Sequence, residues 1–105
     1  MKKLFLFLFF APTILLAQSL DVLFIGNSYT NANNLPQMVS ELALSFGDTL
    51  NFESSIAGGA TFSSHSTNIN TLNKISQNPW DYVVLQAQSQ EPSFSPNQVA
   101  NDVFP

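Results

Sequence analysis

The sequence predicts an α/β fold, a three-layer sandwich in which helices cover a parallel sheet. Short apolar runs alternate with segments of helical periodicity, an order typical of parallel strands joined by crossover helices. The first run, Val22–Ile25, contains no polar residue, as in strands that are buried on both faces. The sequence predicts three strands, whereas doubly wound sheets usually have about five or six. We therefore expect an incomplete sheet, with residues 18–105 forming the amino-terminal portion of a larger domain.

The first helix is predicted from its end signals. Asn33-Asn34 and Pro36 are typical of a helix start, and Gly47 is typical of a helix end. The apolar residues between these signals follow helical spacing and are expected to form one buried stripe: Leu35, Met38, Val39, Leu42, Ala43 and Phe46.

The remaining elements follow from periodicity and from breaking residues. Leu50–Ile56 alternates apolar and polar residues, as an exposed edge strand does. Apolar residues recur every third position over 69–75, which predicts a helix that ends before Pro79. Tyr82–Leu85 is predicted as a third strand, again buried, and Ser95-Pro96 as the start of a last helix.

The first 17 residues have the pattern of a secretory signal peptide. Lys2 and Lys3 form a basic start, and the stretch Leu4–Leu16 is almost wholly apolar. A retained membrane anchor is the alternative, but this run of about 13 residues is shorter than the roughly 20 that a spanning helix needs. We expect a secreted or periplasmic protein, cleaved near Ala17 and not attached to the membrane afterwards.

Composition excludes several classes of partner and cofactor. Without its first 17 residues the chain has one basic residue, Lys74, against seven acids, a formal charge of −6. Such a surface does not neutralise phosphates, so neither nucleic acid nor an anionic membrane is expected as a partner. The chain has no cysteine and one histidine, and its glycine pair lacks phosphate-binding spacing, so we expect no disulfide, metal or cofactor.

Ser28 is the candidate nucleophile. The first strand leads directly into Gly26-Asn27-Ser28, and both glycine and asparagine suit a sharp turn. This turn exposes the Ser28 hydroxyl at the carboxyl end of the strand, where open α/β sheets bind their ligands. The alternative is that Ser28 only caps the turn.

Two ordered blocks carry a resemblance to a known family. Gly26–Ser28 after the first strand and Ala57–Gly59 after the second resemble the blocks of the SGNH hydrolases, also called the GDSL esterase family. The resemblance implies a flavodoxin-like, SGNH-type parallel sheet. In this sheet Val22–Ile25 lies between Val83–Leu85 and an edge strand, Leu50–Ile56.

The resemblance also implies the roles of individual residues. Ser28 corresponds to the nucleophile, and the backbone N–H of Gly58, with Gly59 as a close competitor, to a donor of the oxyanion hole. In the third block Gln88 stands where the family has glycine, and Gln90 where it has the asparagine that donates to the oxyanion. The alternatives are a loop that needs positive φ for the glycines and solvated amides for the glutamines.

His65 is the one histidine and therefore the one internal candidate for a base. It follows the glycine block in a serine-rich segment, and no carboxylate lies near it in sequence to orient it. The family takes its base from an Asp-x-x-His near the carboxyl terminus, a motif that these 105 residues do not contain. We expect His65 to be a solvated or substrate-facing residue of a helix cap.

These observations predict an exported serine hydrolase acting on small-molecule or carbohydrate esters, including acetyl esters. Backbone N–H groups of Ser28 and Gly58 are expected to hold the oxyanion. Because the family's Asp and His are missing, residues 18–105 alone are expected to be inactive. The alternative is a flavodoxin-like glycan-binding or interaction domain without catalysis, or an inactive fragment, and the substitutions at Gln88 and Gln90 favour it.

Overall fold

The computed structural model describes residues 16–103, so the predicted signal peptide lies outside the described residues except for Leu16 and Ala17. Strands alternate with helices in the predicted order. The elements are β1 Ser19–Gly26, α1 Ser28–Asn31, α2 Leu35–Ser45, β2 Thr49–Ile56, α3 Phe62–Ser66, α4 Ile69–Gln77, β3 Tyr82–Leu85 and α5 Pro96–Val103. Short 3₁₀ turns cover Ala32–Asn34 and Glu91–Ser93.

The three strands form one parallel sheet in the order β2-β1-β3. β1 pairs with β2 along its full length, from Ser19 opposite Thr49 to Gly26 opposite Ile56. β3 pairs with the carboxyl half of β1, with its residues 82–85 opposite 22–25. This sheet confirms the α/β prediction, the parallel pairing and the edge position of β2.

The core is centred on β1 because this strand has a neighbour on both edges. Val22–Ile25 are 0–4% exposed, as the unbroken apolar run predicts. Phe24 contacts Phe52 of β2 edge to face, with ring centroids 6.3 Å apart, a favoured aromatic geometry. The strand continues to Gly26, so the first candidate site residue follows a buried and fixed segment.

The helix α2 forms where predicted, but two of its predicted details are wrong. Asn34 precedes the helix in the left-handed conformation with φ 52°, and its side chain makes no capping hydrogen bond. The expected buried stripe is partly exposed: Met38 and Leu42 are 53% and 60% exposed. Pro36 is the buried residue of α2, and it lies outside the predicted stripe.

β3 also departs from the prediction. It forms over Tyr82–Leu85 as expected, but its four side chains are 42–61% exposed rather than buried. Within residues 16–103 it pairs with β1 alone, so one of its edges has no strand beside it.

Across the same residues, none of the helices has the length and apolar character that crossing a membrane requires.

Candidate functional site

Ser28 begins a short helix rather than lying in an open turn. Asn27 is the N-cap of α1, with extended backbone angles, and its Oδ1 accepts a hydrogen bond from the Tyr29 N–H at 3.1 Å. Ser28 is exposed, and within residues 16–103 no hydrogen bond involves its hydroxyl. The side chain that caps this turn is therefore that of Asn27 and not that of Ser28. The Ser28 hydroxyl is open to solvent at the carboxyl end of β1.

The Asn27 side chain joins the ends of the three strands. Asn27 is 1% exposed. Its Nδ2 donates to the carbonyl oxygens of Ala60 and Ala87, each at 3.2 Å. Ala60 follows the glycine pair and Ala87 follows β3, so one amide holds the Ser28 turn against both loops. Buried amides with all their partners present fix the geometry around them.

Gly26 is required for space rather than for a special backbone angle. The two described glycines with positive φ are Gly47 and Gly59, so Gly26 does not take a left-handed backbone angle. A methyl group built at Gly26 would overlap Thr30 Oγ1 and lie 2.9 Å from Gln86 Oε1. Glycine therefore lets α1 and the loop after β3 close onto the end of β1.

The glycine block forms a tight turn beside this assembly. The Ala60 N–H donates to the Ala57 carbonyl at 3.1 Å, and Gly59, with φ 68°, takes the left-handed position of the turn. Gly58 is exposed and needs no such angle. Among the described residues no hydrogen bond uses the backbone N–H of Ser28 or of Gly58, so both donors are available to a ligand.

Gln86 is a site residue that the sequence did not reveal. Its Oε1 accepts hydrogen bonds from the Asn27 N–H at 3.2 Å and from the Thr30 hydroxyl at 2.9 Å. Its Nε2 donates to the Ala87 carbonyl. The first glutamine after β3 therefore holds the Ser28 turn through the Asn27 N–H and the Thr30 hydroxyl. The pattern Gln86-Ala87-Gln88-Ser89-Gln90 showed three amides but gave no sign of which one faces inward.

Gln88 and Gln90 make hydrogen bonds within the loop that follows β3. Gln88 Oε1 accepts a hydrogen bond from the Gln90 N–H at 2.6 Å. The Gln88 N–H donates in turn to Glu91 Oε2 at 2.9 Å. Within residues 16–103, neither glutamine side chain is hydrogen-bonded to the Ser28 turn. Their link to Ser28 is indirect, through the Ala87 carbonyl that Asn27 holds.

Glu91 is a second residue that sequence reasoning missed. Its side chain is 3% exposed, and its Oε1 has no hydrogen-bond partner among the described residues. Its other oxygen holds the loop through Gln88. Burying a carboxylate oxygen without a hydrogen-bond partner costs free energy. Within residues 16–103, no three histidine or acidic side chains are grouped as a metal site requires.

His65 is buried, so the expectation that it is solvated is wrong. It is 6% exposed. Its Nε2 lies 2.8 Å from the Gly26 carbonyl oxygen, and its Nδ1 lies 2.9 Å from Thr71 Oγ1. A carbonyl oxygen only accepts, so Nε2 carries its hydrogen and points it at Gly26. Neither ring nitrogen faces Ser28, and His65 does not serve as its base in this arrangement.

Comparisons with known proteins give no relative for this chain: no protein-family model matches it, and searches of curated proteins and of solved structures found no significant match.

Proposed function

We propose that this chain is the amino-terminal portion of an exported serine ester hydrolase of the SGNH type. The observation that carries the proposal is the set of contacts made by Asn27. Its side chain caps the helix that Ser28 begins, and it also binds Ala60 after the glycine turn and Ala87 after β3. These are the three strand ends at which an SGNH hydrolase carries its nucleophile and oxyanion donors.

The proposed chemistry uses the exposed Ser28 hydroxyl and two backbone N–H groups that have no partner among the described residues. Ser28 Oγ attacks the carbonyl carbon of an ester while a base takes its proton. The N–H groups of Ser28 and Gly58 hold the oxyanion that forms. When the carbonyl re-forms, the alcohol leaves with the proton from the base. Water then attacks the acyl-serine while the base takes its proton, and the base returns that proton to Ser28 Oγ as the carboxylic acid is released.

We assign the base to a part of the protein outside these 105 residues. His65 is the only histidine among them, and its Nε2 hydrogen is committed to the Gly26 carbonyl. The proposal therefore assigns both the base and the acid that orients it to that further part. Esters of carbohydrates, acetyl esters among them, are the proposed substrates, because the chain carries few cations and many neutral polar side chains.

The test is ester hydrolysis by the full-length protein. Ser28→Ala is expected to lower the rate on 4-nitrophenyl acetate by several orders of magnitude, as loss of a nucleophile does. Ser76→Ala is the matched control, because Ser76 is exposed on α4 and its hydroxyl contacts only its own helix, at Asn73. The control should keep the full rate. Equal activity of the two variants would contradict the proposal.

One observation favours the alternative, a domain that binds glycans without cleaving them. A groove of about 600 Å³ lies between the edge of β2 and α4. Asn68, Asn70, Asn73 and Gln77 line it together with Ser54 and Ser55, and Lys74 is the one charged side chain in the lining. Amides and hydroxyls suit a neutral, hydroxyl-rich ligand. Oligosaccharide binding that is lost in Asn70→Ala but kept in Ser28→Ala, with no hydrolysis by the native protein, would favour this function.

A further inference from the structure

β1 and β2 separate at Gly26, and this point lies between the two proposed catalytic turns. Gly26 pairs with Ile56 as the last residue pair of the two strands. The next contact, from the Ala57 N–H to the Gly26 carbonyl, is long at 3.4 Å. Beyond it β1 leads to Ser28 and β2 leads to Gly58. The Gly26 carbonyl is therefore the last point of backbone pairing between the two strands before the turns.

His65 supplies the short hydrogen bond at this point. Its Nε2 donates to the Gly26 carbonyl oxygen at 2.8 Å, whereas the Ala57 N–H is 3.4 Å from the same atom. Hydrogen bonds near 2.8 Å are well formed, and those near 3.4 Å are at the edge of the useful range. The imidazole thus gives the Gly26 carbonyl a shorter hydrogen bond than the ladder contact does at the point where the strands part.

The imidazole is itself held from its other side. Nδ1 lies 2.9 Å from Thr71 Oγ1, which lies 2.8 Å from Ser55 Oγ. Thr71 is on α4 and is 1% exposed, and Ser55 is on β2. A continuous chain of hydrogen bonds therefore runs from β2 through α4 and His65 to the end of β1. Such buried and satisfied networks restrict the groups they join.

We propose that His65 is a positioning residue that sets the distance between the Ser28 turn and the Gly58 turn. It does so by holding the Gly26 carbonyl through Nε2 while Thr71 fixes the ring through Nδ1. His65 does not touch the substrate and takes no proton from Ser28. The catalytic consequence rests on the proposed function, whereas the effect on the geometry of the two turns does not.

Two substitutions separate the two ring nitrogens. In His65→Gln the terminal amide nitrogen reaches the place of Nε2, so the hydrogen bond to Gly26 is kept. In His65→Asn the shorter side chain reaches only the place of Nδ1, so the contact with Thr71 is kept and that with Gly26 is lost. Both side chains fit, because His65 also borders an apolar cavity of about 200 Å³.

The experiment measures the full-length protein in two ways. Amide hydrogen exchange of residues 27–30 and 57–60 reports the two turns, and the rate of fluorophosphonate labelling reports Ser28. We expect His65→Asn to speed exchange in both turns by about fivefold, the effect of one net hydrogen bond. We expect its labelling rate to fall by about 100-fold, as for a displaced catalytic group. His65→Gln loses only the contact with Thr71, so it should speed exchange by less than His65→Asn does and should be labelled near the native rate.

Equal behaviour of the Gln and Asn variants would overturn the inference. If His65→Asn does not fold, Thr71→Val serves in its place, because it frees Nδ1 and leaves the histidine. It should speed exchange in the same two turns by up to about fivefold, and unchanged exchange there would contradict the inference. A native protein that the probe does not label would refute the proposed function alone, since the exchange measurements would still test His65.

Discussion

Asn27 is hydrogen-bonded to Ala60 through its side-chain amide, with Nδ2 3.2 Å from the carbonyl oxygen, although the two residues are 33 positions apart. The contact joins the turn that carries Ser28 to the turn that carries Gly58. It is buried, and Asn27 is almost inaccessible to solvent. The Asn27 amide therefore contributes directly to the relative placement of the proposed nucleophile and oxyanion donors, beside the contact of His65 with Gly26.

The first prediction concerns that amide. Asn27→Asp keeps the oxygen that caps α1 but replaces both Nδ2 donations with a carboxylate facing two carbonyls. We expect a loss of stability of about 1–3 kcal/mol for each carbonyl left without a partner. Asn31→Asp is the control, because Asn31 is exposed on the same helix, and it should change stability by no more than about 0.5 kcal/mol. Chemical denaturation of the full-length protein measures both, and equal effects would refute this role of Asn27.

The second prediction concerns the close approach at Gly26. Gly26→Ala introduces a methyl group where Thr30 Oγ1 and Gln86 Oε1 lie, so we expect a loss of about 1–3 kcal/mol from overpacking. Gly58→Ala is the matched control, because a methyl group there meets nothing within 4 Å. It should leave stability unchanged. A Gly26→Ala variant as stable as the native protein would contradict the close packing at the end of β1.

The third prediction separates the glutamines after β3. Gln86→Leu removes the acceptor for the buried Asn27 N–H and for the Thr30 hydroxyl. We expect a loss of about 1–3 kcal/mol and a slower reaction at Ser28. Gln90→Leu, at an exposed position of the same loop, should change stability by less than about 0.5 kcal/mol. If Gln90→Leu instead slows hydrolysis while Gln86→Leu does not, the expected oxyanion role of Gln90 is right.

The fourth prediction concerns residues 18–105 expressed alone. The side chains of β3 are 42–61% exposed, and an open apolar strand edge is a template for aggregation. We expect this polypeptide to be inactive on simple esters and to aggregate as its concentration rises. Val84→Lys should reduce light scattering, whereas Leu44→Lys, which adds the same charge on α2, should not. A soluble monomer with a cooperative melt would contradict this expectation.

Local patterns were sufficient for the elements that depend on neighbouring residues. The unbroken run Val22–Ile25 predicted a central strand, and Pro36 with Gly47 predicted the limits of α2. The burial of β3 could not be predicted in the same way. Apolar character shows that a strand can be buried, whereas its actual exposure depends on which elements lie beside it.

The candidate site shows the same limit. Ser28 and the glycine pair stand out because a strand followed by a turn is a local pattern. Gln86 and His65 matter because of partners 59 and 39 positions away, at Asn27 and Gly26. No spacing along the chain encodes such contacts. For the same reason the sequence suggested a solvated His65, whereas the fold buries it against the end of β1.

The location of a covalent adduct is the sharpest test of Ser28 as the nucleophile. The full-length protein is treated with a fluorophosphonate, digested, and analysed by peptide mass spectrometry. We predict one adduct, on Ser28, with the neighbouring hydroxyls of Tyr29 and Thr30 unmodified and with no adduct after prior denaturation. An active esterase that carries the adduct on any other residue, or that hydrolyses esters with Ser28 unmodified, would contradict the assignment of Ser28.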